Sequence, residues 1–368
     1  MIEHTQGNLL GADTEALVNT VNCVGYMGKG IALQFKQAFP DNFNAYQRAC
    51  KAEEVQPGRM FVVEIGGLVN PRYIINFPTK RHWRGNSRMA DIESGLEDLV
   101  AAVRRLGIRS IAIPPLGSGL GGLDWQQVRP RIEAAFADLA DVHVLLYEPK
   151  GAPAASRMPV GTRRPHLTVP RALFIGLMDR YAALEYRQTL LEIQKLAYFL
   201  QEAGEALRLR YEKGVYGPYA HNLNKVLETL EGHYTRGLGD SQKPDTEIIL
   251  LPGATEEAEK FLTEHEDSRA RLDQVARLIA GFETPYGMEL LSSVHWVVTS
   301  DGTAADAPEE TVEAIHAWND RKRRMFQPKH IEVAWRRLKE QGWLDERERG
   351  PIPAVFRSHG VCAGDSIA

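Results

Sequence analysis

The sequence predicts a three-layer α/β domain with a mixed sheet over residues 1–150, a linker over 151–170 and a mainly α domain over 171–368. Three observations carry this expectation. Up to residue 150, short β-branched runs alternate with segments of helical spacing. Glycine-rich stretches fall where several of those runs end, which is where open α/β sheets place their ligands. Beyond the proline-bearing stretch GAPAASRMPVGTRRPHLTVP, the apolar period is that of helices.

Taken in order, Ala16–Val21 (ALVNTV) predicts a buried strand, and Ile31–Phe39 predicts a helix stopped by Pro40. Met60–Ile65 and Tyr73–Phe77 predict a hairpin across Gly66-Gly67. Ile92, Leu96, Leu99, Val103 and Leu106 share one helical face, and Gly107 follows as a C-terminal cap. Ile108–Ile113 and Val142–Tyr147 predict strands on either side of a helix opened by Asp124, with Gln127 three residues on. In the second half, Leu173–Leu209 and Asn222–Leu230 predict helices broken by a turn at Gly214–Tyr219. Residues 255–281 and 308–343 add amphipathic helices, and a small hairpin is expected near Glu247–Leu251.

A chain of 368 residues exceeds one ordinary domain, and 43% hydrophobic with 25% charged residues excludes a disordered or fibrous protein. No run approaches the roughly 18 apolar residues of a membrane helix, and MIEHTQGNLL lacks a basic and apolar leader, so no membrane partner and a cytoplasmic location are expected. The net charge of −4 excludes a uniformly basic nucleic-acid binder. Cys23, Cys50 and Cys362 lie far apart without CxxC spacing, and the histidines form no HExxH, so no disulfide framework, metal or other cofactor is expected. GxSxG and the P-loop signature are missing as well.

Three segments carry the candidate chemistry. Asn19–Ile31 joins a strand to a helix start, so backbone N–H groups near Gly28, Lys29, Gly30 and Ile31 can point at a phosphate. Pro114–Leu123 formally satisfies GxGxxG at Gly117, Gly119 and Gly122, yet it lies late in the domain and two prolines precede it, so a second phosphate-cradling loop fits better than a dinucleotide site. Asn76–Arg88 places Lys80 just past a strand end, where partial desolvation lowers an amine's pKa and exposes a nucleophile; a solvated basic loop is the plain alternative. In that loop Arg81, His82, Trp83 and Arg84 combine cations with stacking surfaces of the kind that hold single-stranded nucleic acid.

Together, Gln6–Leu10, MGKGIA at 27–32, FPTK at 77–80 and GSGL at 117–120 occur in an order and separation that resemble the macrodomain family, the α/β module that binds ADP-ribose. Within it the chain is similar to the lysine-dependent glycohydrolases of the DarG antitoxin type, and the likeness covers residues 1–148. The resemblance implies adenine and its ribose near Asn8 and Leu9, the distal ribose beside Asn22, and an ADP-ribose contact at Thr79. It implies the diphosphate between Gly28–Ile31 and the facing loop of Gly117, Ser118, Gly119, Leu120 and Gly121. Lys80 is implied as the catalytic residue that attacks the anomeric carbon. Where many macrodomains carry Asp this chain has Asn8, and where lysine-dependent relatives carry a helper acid it has Gly121. The implied substrate is ADP-ribose on thymidine in single-stranded DNA, placed there by a DarT toxin that the C-terminal half would bind and neutralise. A short likeness to the helical Panacea domain, at Glu192–Phe199 and Tyr216–Tyr219, accompanies that half. An ADP-ribose reader without turnover is the alternative function.

Overall fold

The computed structural model describes residues 1–66, 69–149, 158–182, 188–238, 244–300 and 308–344. Gly67 of the expected turn, residues 151–157 of the expected linker, Cys362 and the rest of 345–368 lie outside them.

The first half builds a six-stranded sheet from β1 (Ile2–Thr5), β2 (Ala16–Asn22), β3 (Phe61–Glu64), β4 (Tyr73–Lys80), β5 (Ser110–Ile113) and β6 (His143–Tyr147). The strand order is β1-β6-β5-β2-β4-β3. All neighbours are parallel except β3, which runs antiparallel to β4, so the sheet is mixed as expected. Four helices cover it: α1 (Gly30–Ala38), α2 (Pro40–Lys51), α3 (Met89–Leu106) and α4 (Trp125–Phe136). Because strand side chains alternate between faces, Ala16 and Val18 pack with Ile92, Leu96, Val128 and Ile132 of α3 and α4, whereas Leu17 packs with Phe35 of α1. Central strands buried on both faces read as continuous apolar runs, and each fully buried Leu or Ile contributes roughly 1.5–3 kcal/mol. That burial makes β2 and β4 rigid platforms for whatever follows their C-terminal ends.

Local signals set the helix limits. Gly107 adopts φ 65°, and its N–H caps α3. Asp124 Oδ1 accepts from Gln126 N at 3.0 Å to open α4. Pro40 stops α1 but also starts α2, because a proline at the first helical position loses no hydrogen bond. Neither α2 nor β1 follows from apolar spacing alone; β1 buries no side chain fully.

The second half contains α5 (Val169–Ala182), α6 (Leu190–Glu202), β7 (Tyr211–Gly214), β8 (Gly217–Ala220), α7 (Leu223–Leu230), β9 (Thr235–Arg236) and β10 (Ile249–Leu250). Six helices follow: α8 (Ala254–Leu262), α9 (Glu266–Ile279), α10 (Pro285–Thr299), α11 (Pro308–Trp318), α12 (Asp320–Met325) and α13 (Pro328–Glu340). The expected turn at 214–219 is a β7–β8 hairpin, and the strand near 249 pairs with β9. Helix α10 has apolar and small residues around most of its circumference, so it shows no amphipathic period and the sequence reading passes over it. No described helix is long and apolar enough to cross a membrane.

By contact the described residues form two compact units, one within 1–167, 187–190 and 224–256, and the other within 168–186, 191–223 and 257–344. Residues 224–256 therefore lie with the sheet domain, which a linear boundary at 150–171 does not anticipate. Gln37 Nε2 donates to Glu231 O at 2.9 Å, and Gly161 N donates to Gln37 O at 2.7 Å, so one buried glutamine ties these later segments to α1.

Candidate active site

A cavity of about 690 Å³ opens at the C-terminal ends of β2, β4 and β5, within the size range of small-ligand sites. The buried amides of Asn19, Asn42 and Asn76 lock the strands beneath it. Asn19 Nδ2 donates to Asn76 Oδ1 at 3.0 Å, and Asn76 Nδ2 donates to Asn42 Oδ1 at 2.7 Å. Such a network, held away from water, fixes β2 against β4 and α2.

The first wall is the loop from Asn22 to Ile31. Asn22 lines the cavity, but its amide is engaged in shaping the turn: Oδ1 accepts from Val24 N at 2.9 Å, and Nδ2 donates to Tyr26 O. Lys29 is the N-cap of α1 without a side-chain cap bond, so the first helical N–H groups are available to a ligand anion. A Cβ on Gly28 would lie 2.4 Å from Tyr26 Cε1, so any larger residue there must displace the Tyr26 ring.

The facing wall is the loop from Pro114 to Leu123. Leu123 N donates to Gly117 O at 3.0 Å and Gly122 N to Gly119 O at 3.1 Å, with Gly117 at φ 67°. A Cβ on Gly121 would meet Gly117 O at 2.2 Å and Ser87 Oγ at 2.3 Å, so a carboxylate side chain has no room at the helper-acid position without rebuilding the loop. Ser87 N donates to Gly121 O at 3.0 Å and joins this wall to the loop after β4.

Between the walls stands Lys80, the last residue of β4, whose Nζ donates to Leu120 O. Burial pushes its pKa below the ordinary lysine value, and the nearby Lys29 ammonium pushes it further in the same direction. Lys29 is itself lowered by burial and partly restored by Glu228. Among the described residues that line the cavity, Glu148 is the one acid, and Gln6 Nε2 donates to it at 3.0 Å. Lys29, Lys80 and Arg84 thus give the cavity a cationic lining that suits a diphosphate.

Of the residues singled out from sequence, Asn8, Leu9, Asn22, Gly28, Lys29, Gly30, Ile31, Thr79, Lys80, Gly117, Gly119, Leu120 and Gly121 line this cavity, as do Trp83 and Arg84. Ser118, Arg81 and His82 do not. Ser118 Oγ turns back to Leu116 O at 3.3 Å, and Arg81 pairs with Asp91 at 2.9 Å. His82 stacks on Trp83 with ring centroids 5.3 Å apart, while the Arg84 guanidinium lies 4.6 Å from the centroid of the Trp83 ring. Asn8 caps a short 3-10 turn through Leu10 N at 3.1 Å. Sequence reasoning missed Tyr26 and Glu148; an aromatic two residues before Gly28 and an acid directly after β6 were the available signals.

Sheet, paired glycine loops and cationic cavity define a macrodomain, and the Macro domain family model matches residues 18–132. The chain is 49% identical to the DNA ADP-ribosyl glycohydrolase of Thermus aquaticus over 95% of its own length and 96% of that protein. It is 58% identical to the solved macrodomain of Mycobacterium tuberculosis DarG, covering 41% of this chain and 99% of that one, with a TM-score of 0.41. It is 31% identical to Thermosipho africanus DarTG, solved in complex with ADP-ribose, over 43% of this chain and 44% of that one, with a TM-score of 0.39. The chain belongs to the DNA ADP-ribosyl glycohydrolase family.

Proposed function

We propose that the protein is an antitoxin that removes ADP-ribose from thymidine bases of single-stranded DNA, with Lys80 as nucleophile, and neutralises a DarT-type toxin by binding it through residues 171–368. The two glycine loops hold the diphosphate, Asn8 and Leu9 receive the adenosine end, and Thr79 and Asn22 flank the distal ribose. The Lys80 amine attacks C1″ of that ribose. The C1″–N bond breaks, its electron pair leaves with the base, and the base takes up a proton. Water then displaces Lys80, giving free ADP-ribose and the regenerated amine.

The observation that supports this best is the placement of Lys80: one amine between two phosphate-cradling loops, with its pKa lowered by burial and by Lys29. An amine in that condition is neutral more often at neutral pH than a free lysine and so more nucleophilic. Trp83 and Arg84, at the cavity mouth, supply a base-stacking surface for flanking nucleotides. The chain carries its whole excess of −4 beyond residue 150, which suits a partner that itself binds DNA.

The reader alternative draws on one observation, that Gly121 leaves no carboxylate beside Lys80. Incubation of the full chain with ADP-ribosylated single-stranded DNA separates the two. Release of free ADP-ribose is expected, whereas tight binding of the adduct without release would leave only the reader.

A further inference from the structure

Glu228 lies on α7, 202 residues from Tyr26 in sequence, yet its carboxylate accepts a hydrogen bond from the Tyr26 hydroxyl at 2.8 Å. Its second oxygen is 3.4 Å from Lys36 Nζ on α1. From Asn224 onward this helix belongs to the same compact unit as the sheet. The Glu228 side chain is only 8% exposed, and a carboxylate so withdrawn from water is costly unless donors meet it. One of those donors, Tyr26, comes from the wall of the cavity.

Tyr26 is the junction. Its ring fills the space over Gly28, where a Cβ would come within 2.4 Å, and stands 5.7 Å from the ring of Trp83. Its carbonyl accepts from Asn22 Nδ2. One side chain therefore touches the diphosphate loop and the aromatic at the cavity mouth, and its own backbone is held by the turn after β2. Gly25 and Gly30, on either side of it in the loop, adopt φ 77° and 53°, and without a Cβ neither residue confines the backbone to that conformation by itself. A hydroxyl anchored to a buried carboxylate supplies the stiffness that the glycines lack.

We propose that Glu228 is a positioning residue for ADP-ribose cleavage: it pins Tyr26, and through Tyr26 the Gly28–Gly30 loop, in the geometry that receives the diphosphate. Glu228 touches no reacting atom. It lowers the ordering that binding must otherwise impose on the loop. The inference rests on the cavity being the ADP-ribose site.

The test uses the full chain and ADP-ribosylated single-stranded DNA, with kcat and KM measured for wild type, Glu228→Ala, Glu228→Gln, Tyr26→Phe and the Glu228→Ala/Tyr26→Phe double variant. Glu228→Ala and Tyr26→Phe should each lower kcat/KM by about 10-fold, the worth of one side-chain hydrogen bond, and the double variant should fall no further. Glu228→Gln, whose amide oxygen still accepts the hydroxyl, should stay within about twofold of wild type. Additive losses, an unaffected Glu228→Ala, or a Glu228→Gln as weak as Glu228→Ala would each overturn the proposal. If Glu228→Ala does not fold, Tyr26→Phe against Glu228→Gln decides, since both keep the packing. A wild type that releases nothing defeats the enzyme reading instead, and calorimetric titration of the same variants with ADP-ribose then applies the same pattern to affinity.

Discussion

Lys29 and Lys80 in the first unit and Lys195 and Lys322 in the second are two sets of amines under the same forces. In each, burial lowers an amine's pKa, and for Lys80 and Lys195 the companion ammonium lowers it further. Their surroundings differ. Lys29 and Lys80 face a cavity of about 690 Å³. Lys195 and Lys322 are 1% and 0% exposed, with Lys195 Nζ donating to Pro218 O at 2.6 Å and Lys322 Nζ to Glu289 Oε1 at 2.8 Å and Ser293 Oγ at 2.9 Å. Arg321 adds a two-pronged contact to the same Glu289. A lowered amine pKa thus marks a reactive group only where a substrate can reach it; in the helical unit it marks a closed ionic core.

The sharpest break between the two sets is a pair of substitutions. Lys80→Ala should lower ADP-ribose release by on the order of 10³-fold while leaving ADP-ribose affinity within about threefold and the unfolding transition unmoved. Lys322→Ala should do the converse. Glu289 keeps Arg321 but loses its charge-assisted bond from Lys322, which should cost about 1.5–3 kcal/mol, seen as early melting, with release per folded molecule unchanged. Comparable effects of both on release would erase the distinction.

A smaller effect tests the repulsion inside the cavity. Lys29⁺ disfavours Lys80⁺, so Lys29→Ala should raise the Lys80 pKa and move the rising limb of kcat against pH to higher pH; KM should also rise if Lys29 holds the diphosphate as proposed. A limb that stays in place would remove Lys29 from the account of Lys80.

The smallest expected effect concerns the closed set. Burial holds Lys195 at about 7 and Lys322 at about 8, both below their value of 10.5 in the unfolded chain. Above those values the unfolded chain binds more protons, so stability should increase as pH climbs from about 7 toward the ordinary lysine range. Denaturant midpoints at pH 7 and 9 measure the slope, and Lys195→Met should flatten it. A slope of the opposite sign would mean that these amines are not desolvated in the fold.

The same contrast explains what the sequence disclosed. In the first unit, strands buried on both faces and helices closed by Gly107 or opened by Asp124 leave local signals, and the glycine loops with Lys80 at a strand end mark most of the cavity. What stayed hidden depends on neighbours distant in sequence. Pro40 reads as a stop until α2 is seen to start on it, and β1 buries no side chain fully to announce it. Nothing near Glu228 indicates that it meets Tyr26. In the helical unit, α10 is apolar around most of its surface, and the amines of Lys195 and Lys322 read as surface charge until the packing encloses them.

The central claim is that the Lys80 amine bonds to the distal ribose during turnover. Turnover of ADP-ribosylated single-stranded DNA in the presence of cyanoborohydride, followed by peptide mass mapping, tests it directly, because hydride reduces the imine formed between an amine and the opened sugar to a stable adduct. ADP-ribose should be found fixed to the peptide that contains Lys80 and should be missing from Lys80→Ala. Sustained release with no adduct, or an adduct on another residue, would contradict it.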